Sequence, residues 1–513
     1  MLLSLGGALA LSLLDRKPFL DSYVLSTGAV TGASFTVYDM RELSEGSQLT
    51  LWVLMAAGGI SLTGVYLLLF RVASFRLRLR PLLRALKAAR SLELSTAKAL
   101  QAELDAAGEL NESLGVVALF AGVYTAGWQA LVFLGLRLAL TATRDSGADP
   151  WPELQSRDIG LNWFCLFMYT SVYNNIGLSL LSASAVGLGQ NTPALLVLAA
   201  GSIAGNTGWP ILLRAMLWLG TLLPPCTLRR GCLYALAHPQ RVYHLLFGQH
   251  ETAILALALF FTNAGQMTLL RHTASVAVQS QFVPELFFAI NTRSTGLVLA
   301  DLNLLSPSVL ILTAFCMWWS PYPLVALWAQ ADEGSLFSAS KSSSSFPVFK
   351  KFLKMYLRRH VMWIWVAVFV LCIADAGLLR NPQPDGQPPH TSIFAYAFEV
   401  LSAYGTNGLS LGHPAAGNAS LCAVMHKVSK LTLIALMMLG RHRSMPRSID
   451  ATLQARIADA RAMLADARAE LAARHAEAVA AGEGDGCEET PAPESAMAAG
   501  EDDEPEEDLH CEA

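Results

Sequence analysis

Hydrophobic residues in this chain gather into blocks, and the blocks come in pairs with a polar stretch between them. The pairs are 1–14 with 49–70, 116–140 with 192–219, 252–270 with 304–328, and 361–379 with 421–439. Most blocks reach the roughly 20 apolar residues that a helix needs to cross a bilayer. The first is shorter and has no basic start, so it reads as a first span shortened at its N-terminus rather than a signal peptide. Between the members of each pair lie residues 22–39, 167–181, 285–297 and 399–412, which mix Gly, Ser, Thr and Asn with apolar residues. Non-helical backbone at membrane depth is tolerated only where protein buries it or it lines a watery cavity. Each pair is followed by basic residues: Arg71 to Arg90, then Arg229, Arg230 and Arg241, then Lys341 to Arg359, then Arg441, Arg443 and Arg447. The expected fold is an all-α membrane protein of four membrane–pore-loop–membrane repeats, with eight transmembrane helices and four re-entrant loops.

The corresponding division is 1–72, 113–220, 249–330 and 356–447 for the repeats, with linkers at 73–112, 221–248 and 331–355. The basic segments belong in the cytoplasm by the positive-inside rule, so the loops enter from outside and both termini are cytoplasmic. The sequon at Asn418 then falls outside and that at Asn111 inside. Residues 448–513 leave the membrane as an Ala-rich helix and an acidic disordered tail.

Composition agrees with this division. Of 513 residues, 53% are hydrophobic and 15% charged, and mean hydropathy is +0.41. The net charge of −4 conceals an asymmetry, since the tail from Glu483 holds thirteen acidic and no basic residues and leaves +9 for the rest. The eight cysteines show no CxxC spacing, which argues against a metal or disulfide framework. No Gly-rich nucleotide-binding unit is present, and neither a cofactor nor a nucleic-acid partner is expected.

The four loops share a grammar. The fourth reads Ser402-Ala-Tyr-Gly-Thr-Asn407-Gly408-Leu and the second Ser171-Val-Tyr-Asn-Asn175-Ile-Gly177-Leu. The third reads Asn291-Thr-Arg293-Ser-Thr295-Gly296-Leu and the first Ala29-Val-Thr31-Gly32-Ala-Ser34-Phe. An apolar run of two to three turns precedes each, so a short helix would aim the negative end of its dipole at a dehydrated cation. Gly reaches φ > 0 without steric cost, which suits a backbone that turns its carbonyls toward an ion. One such loop is more often a helix break. Four at equivalent places make a ring.

These residues, together with MLGRHRSMP (438–446), GNTGWPILLR (205–214) and NTRSTGLVLADLNLLSP (291–307), resemble the Trk/Ktr/HKT superfamily of potassium and sodium transporters, in its HKT and fungal Trk branches. The likeness covers about residues 1–447. It implies four repeats around one central pore, a plasma-membrane location, and a homodimer with one pore per subunit. It also implies filter positions Ser34, Gly177, Gly296 and Gly408, supported by Thr31, Asn175, Thr295, Asn407 and Arg293. Members with Ser in the first place tend to favour Na⁺, and members with four glycines K⁺. Shifting the first loop by two residues would put Gly32 in the ring and reverse that preference; Ser34 keeps Thr31 and Asp39 in register with the family pattern. The expectation is therefore Na⁺ and K⁺ transport with Na⁺ favoured, the alternative being K⁺ uptake or Na⁺–K⁺ symport.

Charges within the blocks sharpen the picture, because an ionisable residue at membrane depth is costly and marks function by default. Lys430 stands about midway along 421–439. By the resemblance it faces the pore as an electrostatic barrier; the bland reading is a lysine paired with a carboxylate on a neighbouring helix. Arg293 would brace its loop, with Glu399 or Asp301 as partner, and Asp39 would attract cations at the mouth or be a solvated surface residue. Phe261 to Gly265 imitates a filter but falls inside a span. An intramembrane enzyme would need paired acids, a Ser/His pair or a metal cluster at matched depth, and none is found, so the chain is not expected to be an enzyme. A non-conducting scaffold would have no physical need for four matching loops.

Overall fold

The structure, a computed structural model, describes residues 1–91, 96–144, 150–181, 184–243, 245–273, 281–318, 361–380 and 391–442, with Ala469 and Ala473 as isolated positions. The expected linker at 331–355, Arg443, Arg447, and the Ala-rich helix and acidic tail apart from those two alanines lie outside the described residues. Among the described residues regular structure is entirely helical, with no strand.

Among the described residues two helices are long and apolar enough to cross a membrane, Gly108–Ala142 and Gln249–His272. The number rises to four if each of two bent pairs is one span: Glu45–Gly58 with Ile60–Ser74, bent by 55°, and Thr192–Thr207 with Trp209–Gly220, bent by 86°. Leu2–Asp15, Pro307–Trp318, Val361–Ala374 and Ile393–Gly405 are apolar but shorter. The expected straight spans at 49–70 and 192–219 are thus broken helices, and the cause is local. At the first bend, a side chain on Gly58 would strike the Val30 backbone, and one on Gly59 the Asn174 amide. At the second, the turn Ile203–Thr207 widens to a π-helix, and the Tyr124 hydroxyl donates to the Ala204 carbonyl at 2.8 Å. A widened turn with an outside donor is a recognised origin of a sharp kink.

Among the described residues four helices have 13 residues each: Phe19–Thr31, Leu161–Tyr173, Phe282–Ser294 and Ile393–Gly405. At 1.5 Å per residue each is about 20 Å long, too short to cross a hydrocarbon core of roughly 30 Å. They are bound in a cycle. The first packs on Lys427–His442, the second on Glu45–Gly58, the third on Thr192–Ser202 and the fourth on Pro307–Trp318. Each leans on the helix that follows the preceding loop, and the first leans on the last. Buried apolar side chains fill the joints, with Leu25, Leu51, Met55 and Phe164 in one cluster and Val24, Tyr404, Leu433 and Met437 in another.

These helices belong to a unit made of Met1–Tyr66, Leu119–Leu219 and His244–Pro446. A second unit comprises, among the described residues, those of Leu67–Ala118 and Gly220–Tyr243. Within it the Ser113 hydroxyl donates to the Gly231 carbonyl at 3.0 Å, and Arg71 donates to the Val242 carbonyl at 2.7 Å.

The block at 421–439 starts later as a helix than its hydropathy implies. Leu421–Ala423 is a 3₁₀ turn, and the helix runs Lys427–His442. Asp375 fixes that start by accepting from the His426 N–H at 2.7 Å and the Ser429 hydroxyl at 2.6 Å. A carboxylate at a helix N-terminus satisfies otherwise orphaned donors. Lys430 therefore lies in the first turn of its helix and not at mid-span.

Candidate functional site

The chain turns sharply where each 13-residue helix ends. The Ala33, Ile176, Gly296 and Asn407 N–H groups donate to the carbonyls of Gly28, Ser171, Asn291 and Ser402, five residues back, at 2.9, 2.8, 3.0 and 3.0 Å. Such wide-turn bonds satisfy helix-end carbonyls. In three loops a left-handed residue makes the turn: Gly32 at φ 88°, Asn175 at 54° and Thr406 at 53°. The third loop differs, because Thr295 stays right-handed at φ −97°. Then come Gly177, Gly296 and Gly408 at φ 83°, 73° and 87°. Ser34 has no positive φ.

Ser34, Gly177, Gly296 and Gly408 line a single cavity of about 130 Å³. Hydroxyl-bearing residues Thr36, Ser179, Ser184, Ser410 and Ser420 line it too, as does Asp39. Gly32 is not in the lining; a side chain there would meet the Asn175 and Thr406 carbonyl oxygens and Arg441 instead. At Gly408 a methyl group would strike the Ser34 backbone nitrogen, and at Gly177 the Thr295 carbonyl. Both positions thus need glycine for space as well as for torsion. Ser34 fastens the first loop to the fourth, its N–H and its hydroxyl donating to the Asn407 carbonyl at 3.3 and 3.1 Å.

The supporting residues differ in what they hold. The Asn175 amide donates to the Tyr173 and Ser202 carbonyls at 3.2 Å each, and its oxygen faces the Ser202 and Thr295 hydroxyls at 3.1 and 2.9 Å. Those two hydroxyls are 2.6 Å apart. Asn407 donates to the Thr292 carbonyl at 2.5 Å, tying the fourth loop to the third helix. Thr31 braces nothing outside its own helix, because its hydroxyl donates to the Thr27 carbonyl at 2.7 Å. Arg293 is buried with Cys316 in hydrogen-bonding reach and pairs with neither expected acid. Glu399 accepts from the Cys422 N–H at 3.1 Å, and Asp301 accepts from the Asn303 N–H at 2.9 Å.

Two charges need correction. Lys430 is clamped to Asp21 of the first 13-residue helix at 2.5 Å and donates to the Ala423 carbonyl at 3.0 Å, and it does not line the cavity. The paired-lysine arrangement is the one present. Arg441, read from sequence only as part of a basic segment, reaches the first loop: it donates to the Gly58 carbonyl and lies beside Gly32. In the first loop, Asp39 is held by Arg41 through contacts of 2.8 and 2.5 Å. Burial acts to raise the Asp39 pKa, but the hydrogen bonds and charge of Arg41 outweigh it and keep the carboxyl below its ordinary value. Of the other residues missed, Ser202 carried no signal in its own segment, and Asp21 was visible only as a lone acid in an apolar run.

Four helix ends that meet at one small polar cavity, in a chain with apolar helices of spanning length, define the class, a helical membrane protein. The chain belongs to the TrkH family, described as cation transport protein, whose model matches residues 4–458. It is similar to Potassium transport protein 1 of Schizosaccharomyces pombe, with 33% identity over 313 residues, 58% of this chain and 37% of that one. Potassium transport protein 2 of the same yeast is 28% identical over 378 residues, 67% of this chain and 41% of that one. The low-affinity potassium transport protein of Saccharomyces cerevisiae is 28% identical over 380 residues, 64% of this chain and 42% of that one. The chain thus spans about two fifths of the length of these relatives.

Proposed function

We propose that the chain carries monovalent cations across the membrane, K⁺ ahead of Na⁺, along a path through the loop-lined cavity. The supporting observation is that one residue from each of four loops lines that cavity, at the ends of four helices of equal length. Four helix C-termini bring partial negative charge to one place, and backbone carbonyls there replace the hydration of an ion. The ion itself is the cargo. Ser34, Gly177, Gly296 and Gly408 form the filter; Asn175, Thr295 and Asn407 hold it in shape.

Potassium takes precedence over the sodium preference expected from Ser34 because the relatives are named potassium transport proteins. The serine hydroxyl donates its proton to the Asn407 carbonyl, which fixes its position while its oxygen can still accept. Sodium remains the second reading, favoured by the single non-glycine corner. The barrier role passes from Lys430, whose charge Asp21 offsets, to Arg441, whose described partner is the neutral Gly58 carbonyl. A homodimer in the plasma membrane with cytoplasmic termini completes the proposal. Two-electrode recording with exchange of external Na⁺ for K⁺ tests it. The reversal potential is expected to follow K⁺. A reversal potential that follows Na⁺ and ignores K⁺ selects the sodium reading, and no cation current rejects the proposal.

A further inference from the structure

We propose that Ser202 is a specificity-determining positioning residue, whose hydroxyl sets the spacing of the second and third loops without touching the ion. The inference rests on the filter reading above and goes beyond it, since Ser202 lies on neither loop. It is the last residue of the helix Thr192–Ser202, next to the π-turn that precedes the 86° bend into Trp209–Gly220. Its side chain is fully buried. The hydroxyl stands 3.1 Å from the Asn175 side-chain oxygen and 2.6 Å from the Thr295 hydroxyl, and those two are 2.9 Å from each other. The Ser202 carbonyl also accepts from the Asn175 amide at 3.2 Å.

The triangle has a proton count that makes it a spacer. Asn175 presents an acceptor oxygen to it, and the two hydroxyls supply one proton each. Two protons serve three contacts, so each hydroxyl restrains the other and neither is dispensable to the spacing. The covalent neighbours carry the consequence. Asn175 is two residues before Gly177, and Thr295 is immediately before Gly296. A methyl at Gly177 would already strike the Thr295 carbonyl, so the two loops are in contact at the cavity and have no slack to absorb a shift. The helix bearing Ser202 packs against the 13-residue helices of both loops, which fixes the third corner of the triangle. Among the expected supports, Thr31 bonds only within its own helix, so the first loop has no counterpart of this spacer at that position.

Removing the Ser202 hydroxyl leaves the Asn175 oxygen still accepting from Thr295, so no buried acceptor is orphaned and the fold is expected to survive. The spacing is not. The experiment is a double-mutant cycle in the full chain, with Ser202→Ala, Thr295→Val and the pair, read as reversal potentials in mixed K⁺ and Na⁺ beside surface expression. Each single variant is expected to lower the K⁺/Na⁺ permeability ratio by about fivefold, the size of one lost neutral hydrogen bond. The pair is expected to lower it no further than either alone, because both remove one shared network. Thr295→Ser, which keeps the hydroxyl, retains the ratio. Unchanged selectivity in Ser202→Ala with normal current overturns the inference and leaves the filter reading intact. Additive losses also overturn it, since they mean two independent contributions. A wild-type chain that carries no cation current defeats the filter reading and this inference with it.

Discussion

The first and fourth loops leave their helices in the same way and diverge at one residue. Both turn through a left-handed residue, Gly32 or Thr406, and both close with a bond five residues back, to Gly28 or Ser402. The next cavity-lining residue is Gly408 at φ 87° in the fourth loop and Ser34, without positive φ, in the first. The two are adjacent in space, and Ser34 donates to the carbonyl of the residue just before Gly408. The difference is instructive. A side chain at this corner restricts the torsions its own loop can use, and its hydroxyl also occupies a carbonyl of the facing loop, so one serine alters two corners of the ring.

The largest effect that tests this contrast is Gly408→Ala. A side chain at φ 87° costs about 1–3 kcal/mol of backbone strain, and its methyl would also strike Ser34. Cation uptake is expected to fall about fivefold or more, since 1.4 kcal/mol corresponds to about tenfold. Wild-type uptake would mean that the fourth loop tolerates what the first contains. Next comes the clamp between the two regions. Lys430→Met leaves Asp21 without its partner and is expected to lower stability by about 3 kcal/mol, the lower end for a broken buried pair because Asp21 keeps some exposure. Thermal unfolding in detergent measures it, and the exchange Asp21→Lys with Lys430→Asp should recover part of the loss. Raised current with unchanged stability would instead return Lys430 to the barrier role.

Ser34→Gly should act more gently, by freeing the torsion and removing the hydroxyl's bond to the Asn407 carbonyl while the backbone N–H keeps its own. The K⁺/Na⁺ permeability ratio is expected to rise about fivefold, one hydrogen bond's worth, as read from reversal potentials. An unchanged ratio would make the odd corner irrelevant to selectivity. The smallest effect concerns pH at the mouth. The depressed Asp39 pKa means that its carboxylate is charged above the ordinary carboxylate range and loses charge only as pH falls through the lowered folded value. Uptake by wild type and by Asp39→Asn is expected to keep a constant ratio from pH 5 to pH 8. A ratio that changes across that window would show that Arg41 does not control this carboxylate.

Much of the loop architecture was legible in the residues because it is local. Gly177, Gly296 and Gly408 announce their torsions, and the apolar runs before them announce short helices. Helix ends near charges were less legible. Hydropathy alone extended the last block to Leu421, since Leu421, Cys422, Ala423 and Val424 are as apolar as a helix, and only the Asp375 contacts show where the helix begins. The bends were hidden for a similar reason. Gly58, Gly59 and Gly205 lie inside apolar blocks, and only the folded chain shows the Val30, Asn174 and Tyr173 groups packed against them.

By itself the sequence determined a helical membrane chain with apolar blocks and glycine-bearing turns between them, because hydrophobic length and glycine torsion are properties of short segments. The tertiary structure decided which residues meet. It brought Ser34 rather than Gly32 to the cavity, paired Lys430 with Asp21 across 409 positions, and set Ser202 between two loops. Those outcomes depend on packing and on the pairing of buried polar groups between segments distant in sequence, and no local pattern encodes them.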